Sequence, residues 1–532
     1  MKFRVERDPL GDVRVPADAY YGAQTRRAVE NFPISGLSAP PELVVATVHI
    51  KKAAAEANGA LGRLPADIAS AIVGAADEIL QGALRDQFVV DVYQAGAGTS
   101  HNMNANEVLA NRAAELLGGT RGEYTRVHPN DHVNMGQSTN DVFPTATRLS
   151  LLAMVPRLLE AARALAGGLS TKSRAFADVL KTGRTHLQDA VPIMLGQEFG
   201  GYAANVTQAA DDLERSATQL LELNLGATAV GTGLNAGDDY VTRAISNLER
   251  YTGTPVRPAA NRFRVTQSMG DVLAFSGTLR RMAVEVNKIA SDLRLLSSGP
   301  RAGIAEIQLP PVQPGSSIMP GKVNPSVPEM VNQVCFQVYG CDAAILAAAD
   351  AGQLELNVMM PVMAWNAIHA TRILTNAMRV LQDRCIVDTR ADEKRCRELL
   401  DRSTALATAL SPYIGYAATA DIAKASVKTG RSIRDLVRER KLLPDRRLDA
   451  ILSAEAMTSP GVPGQKHDED HSSPDDPRGR SAGAGDRRSS RATHAPVPAR
   501  GSGRAGGAGP RRVAAPRQDH GRAGGGGGKR RR

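Results

Sequence analysis

The stretch LGQEFGGYAANVTQAADDLERSATQL, residues 195–220, sets apolar side chains at Leu195, Phe199, Tyr202, Val206, Ala209, Leu213 and Leu220. Steps of four and three place all seven on one face of a helix. The same rhythm recurs at Leu151, Val155, Leu158, Ala162, Leu165 and Leu169, and at Val265, Met269, Val272, Leu279, Met282, Val286, Ile289 and Leu293. It returns at Val327, Val331, Val334, Val338, Cys341 and Ile345, and again from about Pro361 to Leu381. Helices of this length are rods of ~35–48 Å, and parallel rods with apolar stripes imply an elongated bundle. Ala, Met and Leu on second faces suggest burial against other subunits. The first rod is expected to begin near Pro144, and Pro156 should kink it or mark its real start. The expected fold class is therefore mostly α, with a central five-helix bundle over residues 141–390. A smaller N-terminal domain (1–140) precedes it, with shorter helices such as Glu42 to Leu61 and Asn104 to Leu117, and a small helical C-terminal domain (391–460) follows.

Composition agrees with helices. Of the 532 residues 42% are hydrophobic but only 4% aromatic, with a single Trp365. Such an aliphatic, Ala-rich core favours packed helices over a β-sandwich. No run of ~18 apolar residues is present, which argues against a membrane span. The opening Met-Lys-Phe-Arg lacks the apolar segment of a secretory signal. Cys335, Cys341, Cys385 and Cys396 match no zinc spacing and read as reduced thiols, so a cytoplasmic location is expected.

The net charge of +10 is unevenly spread. Residues 461–532 hold 16 Lys+Arg and 7 Asp+Glu; taking these from 65 and 55 leaves 49 and 48, so the body is near neutral. This tail has 16 Gly and no Leu, Ile, Met or aromatic residue, and is expected to be disordered. A basic arm of this kind suits nucleic acid or another polyanion. Without aromatics to stack on bases, a solvated extension is the stronger reading.

Between the rods lie polar, Gly-rich loops. They read Gly96-Ala-Gly-Thr99-Ser100-His101-Asn102, then His128-Pro-Asn130-Asp131-His132-Val-Asn134-Met-Gly-Gln137-Ser138-Thr139-Asn140-Asp141. Further on come Gly183-Arg184-Thr185-His186-Leu-Gln188-Asp189 and Gly315-Ser316-Ser317-Ile-Met-Pro-Gly321-Lys322-Val-Asn324-Pro325. Singly, each has an ordinary reading: Ser138-Thr139-Asn140 as a helix cap, Thr185-His186 as a satisfied pair, the Gly-Ser-Ser as a turn. Together they offer hydroxyls, amides, one Lys and one His, with no carboxylate dyad, metal cluster or phosphate loop. That inventory suits a small dianion held by neutral donors and one cation, with no cofactor and no metal.

Gly315 to Pro325 resembles the signature of the fumarase/aspartase superfamily, whose members cleave C–N or C–O bonds and release fumarate. The resemblance spans about residues 5–460. Val15-Pro-Ala-Asp-Ala-Tyr-Tyr-Gly22, Gly96 to Ser100, Gln137 to Asp141, Val327 to Cys335 and Ala351 to Val358 are more similar to its ammonia-lyase branch than to the class II fumarases. The resemblance implies conversion of L-aspartate to fumarate and ammonia. It assigns Ser316 as the base that takes the C3 proton, supported by Lys322. Thr99, Ser138, Thr139 and Ser317 would hold the aci-carboxylate, while Lys322, Asn324 and Thr185 would hold the α-carboxylate. Asn140 and His186 would face the amino group, with Glu329 pairing the histidine. The loops around Thr99/Ser138, His186 and Ser316 would come from three subunits of a homotetramer with a twenty-helix core. His128, Asn130 and Asp131 resemble a secondary dicarboxylate site, with a helix-capping turn as the equal alternative. The resemblance assigns no role to His101. The rival readings are a class II fumarase and a catalytically silent scaffold whose tail binds nucleic acid.

Overall fold

The computed structural model describes residues 2–465. An antiparallel hairpin opens the chain, β1 (Phe3–Asp8) on β2 (Gly11–Pro16). Four helices follow: α1 (Ala23–Asn31), α2 (Pro41–Ala60), α3 (Ala66–Leu80) and α4 (Thr99–Leu116). Next comes the longest helix, α5 (Thr139–Ala175), then the hairpin β3 (Leu180–Thr185) and β4 (Gln188–Met194). After α6 (Leu195–Ala217) come α7 (Asp238–Thr252), α8 (Arg262–Gln267), α9 (Gly270–Leu296), α10 (Ser326–Asp350) and α11 (Met360–Leu381). Short helices close the described chain, from α12 (Glu393–Arg402) to the last at Ala454–Thr458.

The five long helices form a closed ring. α5 packs on α6, α6 on α9, α9 on α10, α10 on α11, and α11 back on α5. Phe199, Val206 and Leu213 of α6, with Val272, Leu279, Val286 and Leu293 of α9, are buried in one cluster. Full burial of such a side chain stabilises by roughly 1.5–3 kcal/mol, so each stripe far outweighs the weak helix propensity of its β-branched members. α2 packs on α5 with Leu43, Ala46, Ile50 and Ala53, and its other face meets α3 and α4 in a second cluster through Val44, Val48 and Ala55. All four cysteines are buried and free.

Three expectations change. α5 begins at Thr139, not near Pro144, and runs through both Pro144 and Pro156 without a break. Pro144 has no N–H to give to Asn140 O, and Asn224 Nδ2 takes that place at 3.1 Å. Ser138 and Asp141 form a reciprocal capping box that fixes the start. Val265 and Met269 do not belong to the long rod, because Ser268 turns extended between α8 and α9. Residues 461–465 are not part of a loose tail, since Pro463 O accepts from the Tyr413 hydroxyl and Gly464 O from Arg447. The Gly- and Arg-rich remainder, expected to be disordered, lies outside the described residues.

The two ends of the ring follow from side-chain bonds. Buried Arg148 near the start of α5 pairs with Asp271 at the start of α9 at 2.6 Å. Removing one partner of such a pair costs about 3–5 kcal/mol, which pins the two starts together. At the other end buried Glu306, just after α9, accepts from Arg184 (2.9 Å) and Lys181 (3.2 Å) of β3. The starts of α5 and α9 thus lie at one end, and the β3–β4 hairpin and the α9–α10 connection at the other. α5 has 37 residues, so the ends are ~55 Å apart at 1.5 Å per residue.

Candidate active site

At the first end, Thr99 is the first residue of α4 and Thr139 the first of α5. Gly98 turns left-handed (φ 94°), and a Cβ there would lie 2.1 Å from the Phe143 ring, so only glycine lets α4 start against α5. Thr99 Oγ1 donates to Gly96 O at 2.6 Å. Ser138 Oγ accepts from Asn140 N (3.2 Å), and Thr139 Oγ1 accepts from Asn102 Nδ2 (3.2 Å). Capping therefore uses an oxygen lone pair and leaves the Ser138 and Thr139 protons free for an anion. Asn140 Nδ2 donates to Ala229 O at 2.8 Å.

Asp141 is fully buried and accepts from Gly226 N and Thr228 N, both at 2.9 Å. Burial pushes its pKa up to about 7, against the backbone donors that lower it. His101, to which no role was assigned, is buried between Phe88 and Phe143, with Nε2 2.9 Å from Thr47 Oγ1. Thr47 gives its proton to Leu43 O, so His101 Nε2 carries a hydrogen and Nδ1 is a bare acceptor. Burial holds its pKa down to about 4, helped by Lys51.

At the far end, Thr185 closes the β3–β4 hairpin opposite Gln188. His186 and Leu187 form the two-residue turn, both left-handed (φ 52° and 60°), a conformation that usually calls for Gly or Asn. Thr185, His186 and Leu187 are exposed. In the α9–α10 connection, Gly315 N donates to Lys322 O (2.7 Å) and Asn324 Nδ2 to Gly315 O (2.8 Å), closing the loop. A Cβ on Gly315 would sit 2.6 Å from Lys322 O. Inside this loop Ser316 Oγ accepts from Ile318 N (3.2 Å) and Met319 N (3.0 Å). Ser317, Lys322 and Glu329 are exposed, and among the described residues none has a side-chain partner.

One chain thus gathers Thr99, Ser138, Thr139 and Asn140 at one end, and Thr185, His186, Ser316, Ser317, Lys322, Asn324 and Glu329 toward the other. No hydrogen bond or ion pair among the described residues joins His186 to Glu329. At the second candidate site His128 caps the short turn Pro129–Val133. His128 Nδ1 accepts from Asn130 N (3.3 Å) and Asp131 N (3.2 Å), which turns those N–H groups onto the ring. Sequence reasoning passed over Lys51 and gave Asn134 and Gln137, quoted in the second loop, no role; all three lie directly behind the Thr139 end. The available signal was a lysine on the apolar face of α2, four residues after Thr47 and one after Ile50.

A lyase family profile matches residues 11–340, and a fumarase C C-terminal profile matches residues 406–459. The chain belongs to this fumarase/aspartase family of lyases. Among its relatives, the aspartate ammonia-lyase of Pseudomonas aeruginosa is 53% identical over 86% of this chain and 97% of its own. That of Escherichia coli K12 is 48% identical over 87% and 98%. Of solved structures, a fumarate lyase:delta crystallin from Brucella melitensis bound to cobalt matches with TM-score 0.83 and 49% identity, over 86% of this chain and 100% of that one. A class II fumarase from Schistosoma mansoni matches with TM-score 0.82 and 38% identity, over 85% and 98%. No helix among the described residues is long and apolar enough to cross a membrane.

Proposed function

We propose that this chain is a carbon–nitrogen lyase that converts L-aspartate to fumarate and ammonia, working as a cytoplasmic homotetramer. The observation that carries the chemistry is Ser316 Oγ under two backbone N–H groups in a glycine-closed loop. An ordinary serine is far too weak a base for a C3 proton. Donors aimed at its oxygen favour the alkoxide, and the Lys322 ammonium adds to them.

The C3–H bond breaks, Ser316 takes the proton, and the electron pair moves onto the β-carboxylate as an aci-carboxylate. Thr99, Ser138, Thr139 and Ser317 receive that charge, the preorganised arrangement that speeds such steps most. The pair then returns to form the C2=C3 double bond as the C2–N bond breaks and ammonia leaves past Asn140 and His186. Glu329 pairs with His186 from another chain, and Lys322, Asn324 and Thr185 hold the α-carboxylate. The separation of the two ends supports sharing of each site between subunits. Antiparallel packing of bundles brings the Thr139 end of one chain to the Ser316 end of another.

Supplying L-aspartate and L-malate separately and following fumarate tests the reading. Fumarate should appear from aspartate. Fumarate from malate but not aspartate would instead establish the class II fumarase reaction, which the Schistosoma likeness keeps as the rival.

A further inference from the structure

Behind the Thr139 end lies a buried polar cluster that the proposed chemistry does not use directly. Lys51, midway along α2, is fully buried. Its Nζ donates to Asn134 Oδ1 and Gln137 Oε1, each at 2.9 Å. Asn134 Oδ1 also accepts from Asn102 Nδ2 and Asn106 Nδ2, both at 3.2 Å. Asn102 Nδ2 reaches on to Thr139 Oγ1, and its backbone N–H closes the first turn of α4 on Gly98 O at 3.0 Å. One amino group therefore ties the 134–137 loop to the starts of both α4 and α5, which carry Thr99, Ser138 and Thr139.

Stability alone gives a lysine no reason to be here. A buried ammonium is costly unless paired, and an apolar isostere commonly serves folding as well or better. Among the described residues no carboxylate forms an ion pair with Lys51, and Asp141 acts on it only at longer range. Burial holds its pKa down to about 7. Beside it the buried atoms His101 Nδ1, Asn102 Oδ1 and Asn106 Oδ1 have no partner, so the cluster is not optimised as a core.

We propose that Lys51 is a positioning residue for the lyase reaction. Through Asn134, Gln137 and Asn102 it holds the Thr139 hydroxyl and the start of α4 where the β-carboxylate's developing charge is received. This rests on the aspartate-lyase reading above. Hydroxyls aimed at charge that exists only in the transition state affect turnover more than ground-state binding.

The test uses full-length Lys51→Met, which fills the volume of the stem without charge or donor, and Lys51→Gln, which restores one N–H. For each purified tetramer one measures kcat and KM for L-aspartate, the Kd of succinate as a non-reacting dicarboxylate, and the melting temperature. In Lys51→Met, kcat should fall at least ~30-fold, below the 10²–10³ of losing a donor outright, while succinate Kd moves less than about threefold. Lys51→Gln should recover part of the lost kcat. The proposal is overturned if folded Lys51→Met keeps more than about half of kcat, or if succinate affinity falls as far as kcat. It is equally overturned if neither variant assembles, because Lys51 would then be a folding residue. Wild-type enzyme that releases no fumarate from L-aspartate, run in parallel, would overturn the lyase reading instead.

Discussion

The two ends of the helix ring are built on opposite principles. At the Thr139 end the hydroxyls sit on the first residues of helices, locked by a capping box, by Gly98 against Phe143 and by the buried Lys51 cluster. At the Ser316 end the reactive groups sit on a hairpin tip and an exposed loop, and Lys322, Glu329 and His186 stand without side-chain partners among the described residues. A receptor for developing charge gains from rigidity, because its donors need not reorganise when the charge appears. A base that, under the proposed shared site, reaches another chain's substrate and then closes water out gains from a loop. In the proposed mechanism three of the four charge-receiving hydroxyls therefore sit on helix starts, while the base and Ser317 sit on the loop.

The sharpest way to break this contrast is Ser316→Ala. Turnover should fall by ~10²-fold or more while succinate still binds, because proton transfer rests on one oxygen and binding is distributed. Steady-state rates and calorimetry decide it, and retention of more than about a tenth of the rate would reject Ser316 as the base.

Next in size is complementation between the ends. Thr99→Ala and Ser316→Ala chains, each nearly inactive, are unfolded together in equal amounts and reassembled. About a quarter of the sites should draw both intact residues from different parents under random closed assembly, and activity should return accordingly. A mixture with proven subunit exchange that stays inactive would place both residues in one chain's site.

A smaller effect concerns the rigid end alone. His101 is held at a pKa of about 4, below its ordinary 6.5, so the unfolded chain binds more protons between those values. Stability should therefore be lost as pH falls from about 6.5 toward 4, by on the order of 2–3 kcal/mol from this group. His101→Leu should flatten that fall, as read from denaturant unfolding at pH 7 and pH 4.5. An unchanged slope would show that the imidazole is not buried neutral in solution. The smallest expected effect is that of truncation after Gln465, which keeps the Pro463 and Gly464 contacts. It should leave activity and the oligomeric state, by light scattering, as they are in the full chain.

Periodicity made the five rods legible because a buried stripe repeats its reason at every turn, and Leu195 to Leu220 can be read only one way. The ends of those rods were harder. The start of α5 at Thr139 depends on Asn224, eighty residues on, supplying the donor that Pro144 lacks. No local pattern carries that. The loops around Ser316 and His186 were legible through their resemblance to a family, whereas at His128 the sequence left two readings equal, because a cap and an anion site use the same residue types. Lys51 was missed for a related reason: a lysine reads as solvent-facing until the packing of α2 against two clusters leaves it no water.

The start points of α4 and α5 carry one more implication. The aligned peptide dipoles of each helix amount to roughly half a positive charge at its start. Gly98 against Phe143 and Asn102 against Thr139 bring two such termini side by side. The hydroxyls there are neutral, yet the backbone itself supplies close to a full unit of positive potential, fixed in place. Thr139 is buried, and salt screens charges at a buried position less than exposed ones. The grip on the β-carboxylate should accordingly be much less sensitive to ionic strength than the grip that exposed Lys322 exerts on the α-carboxylate.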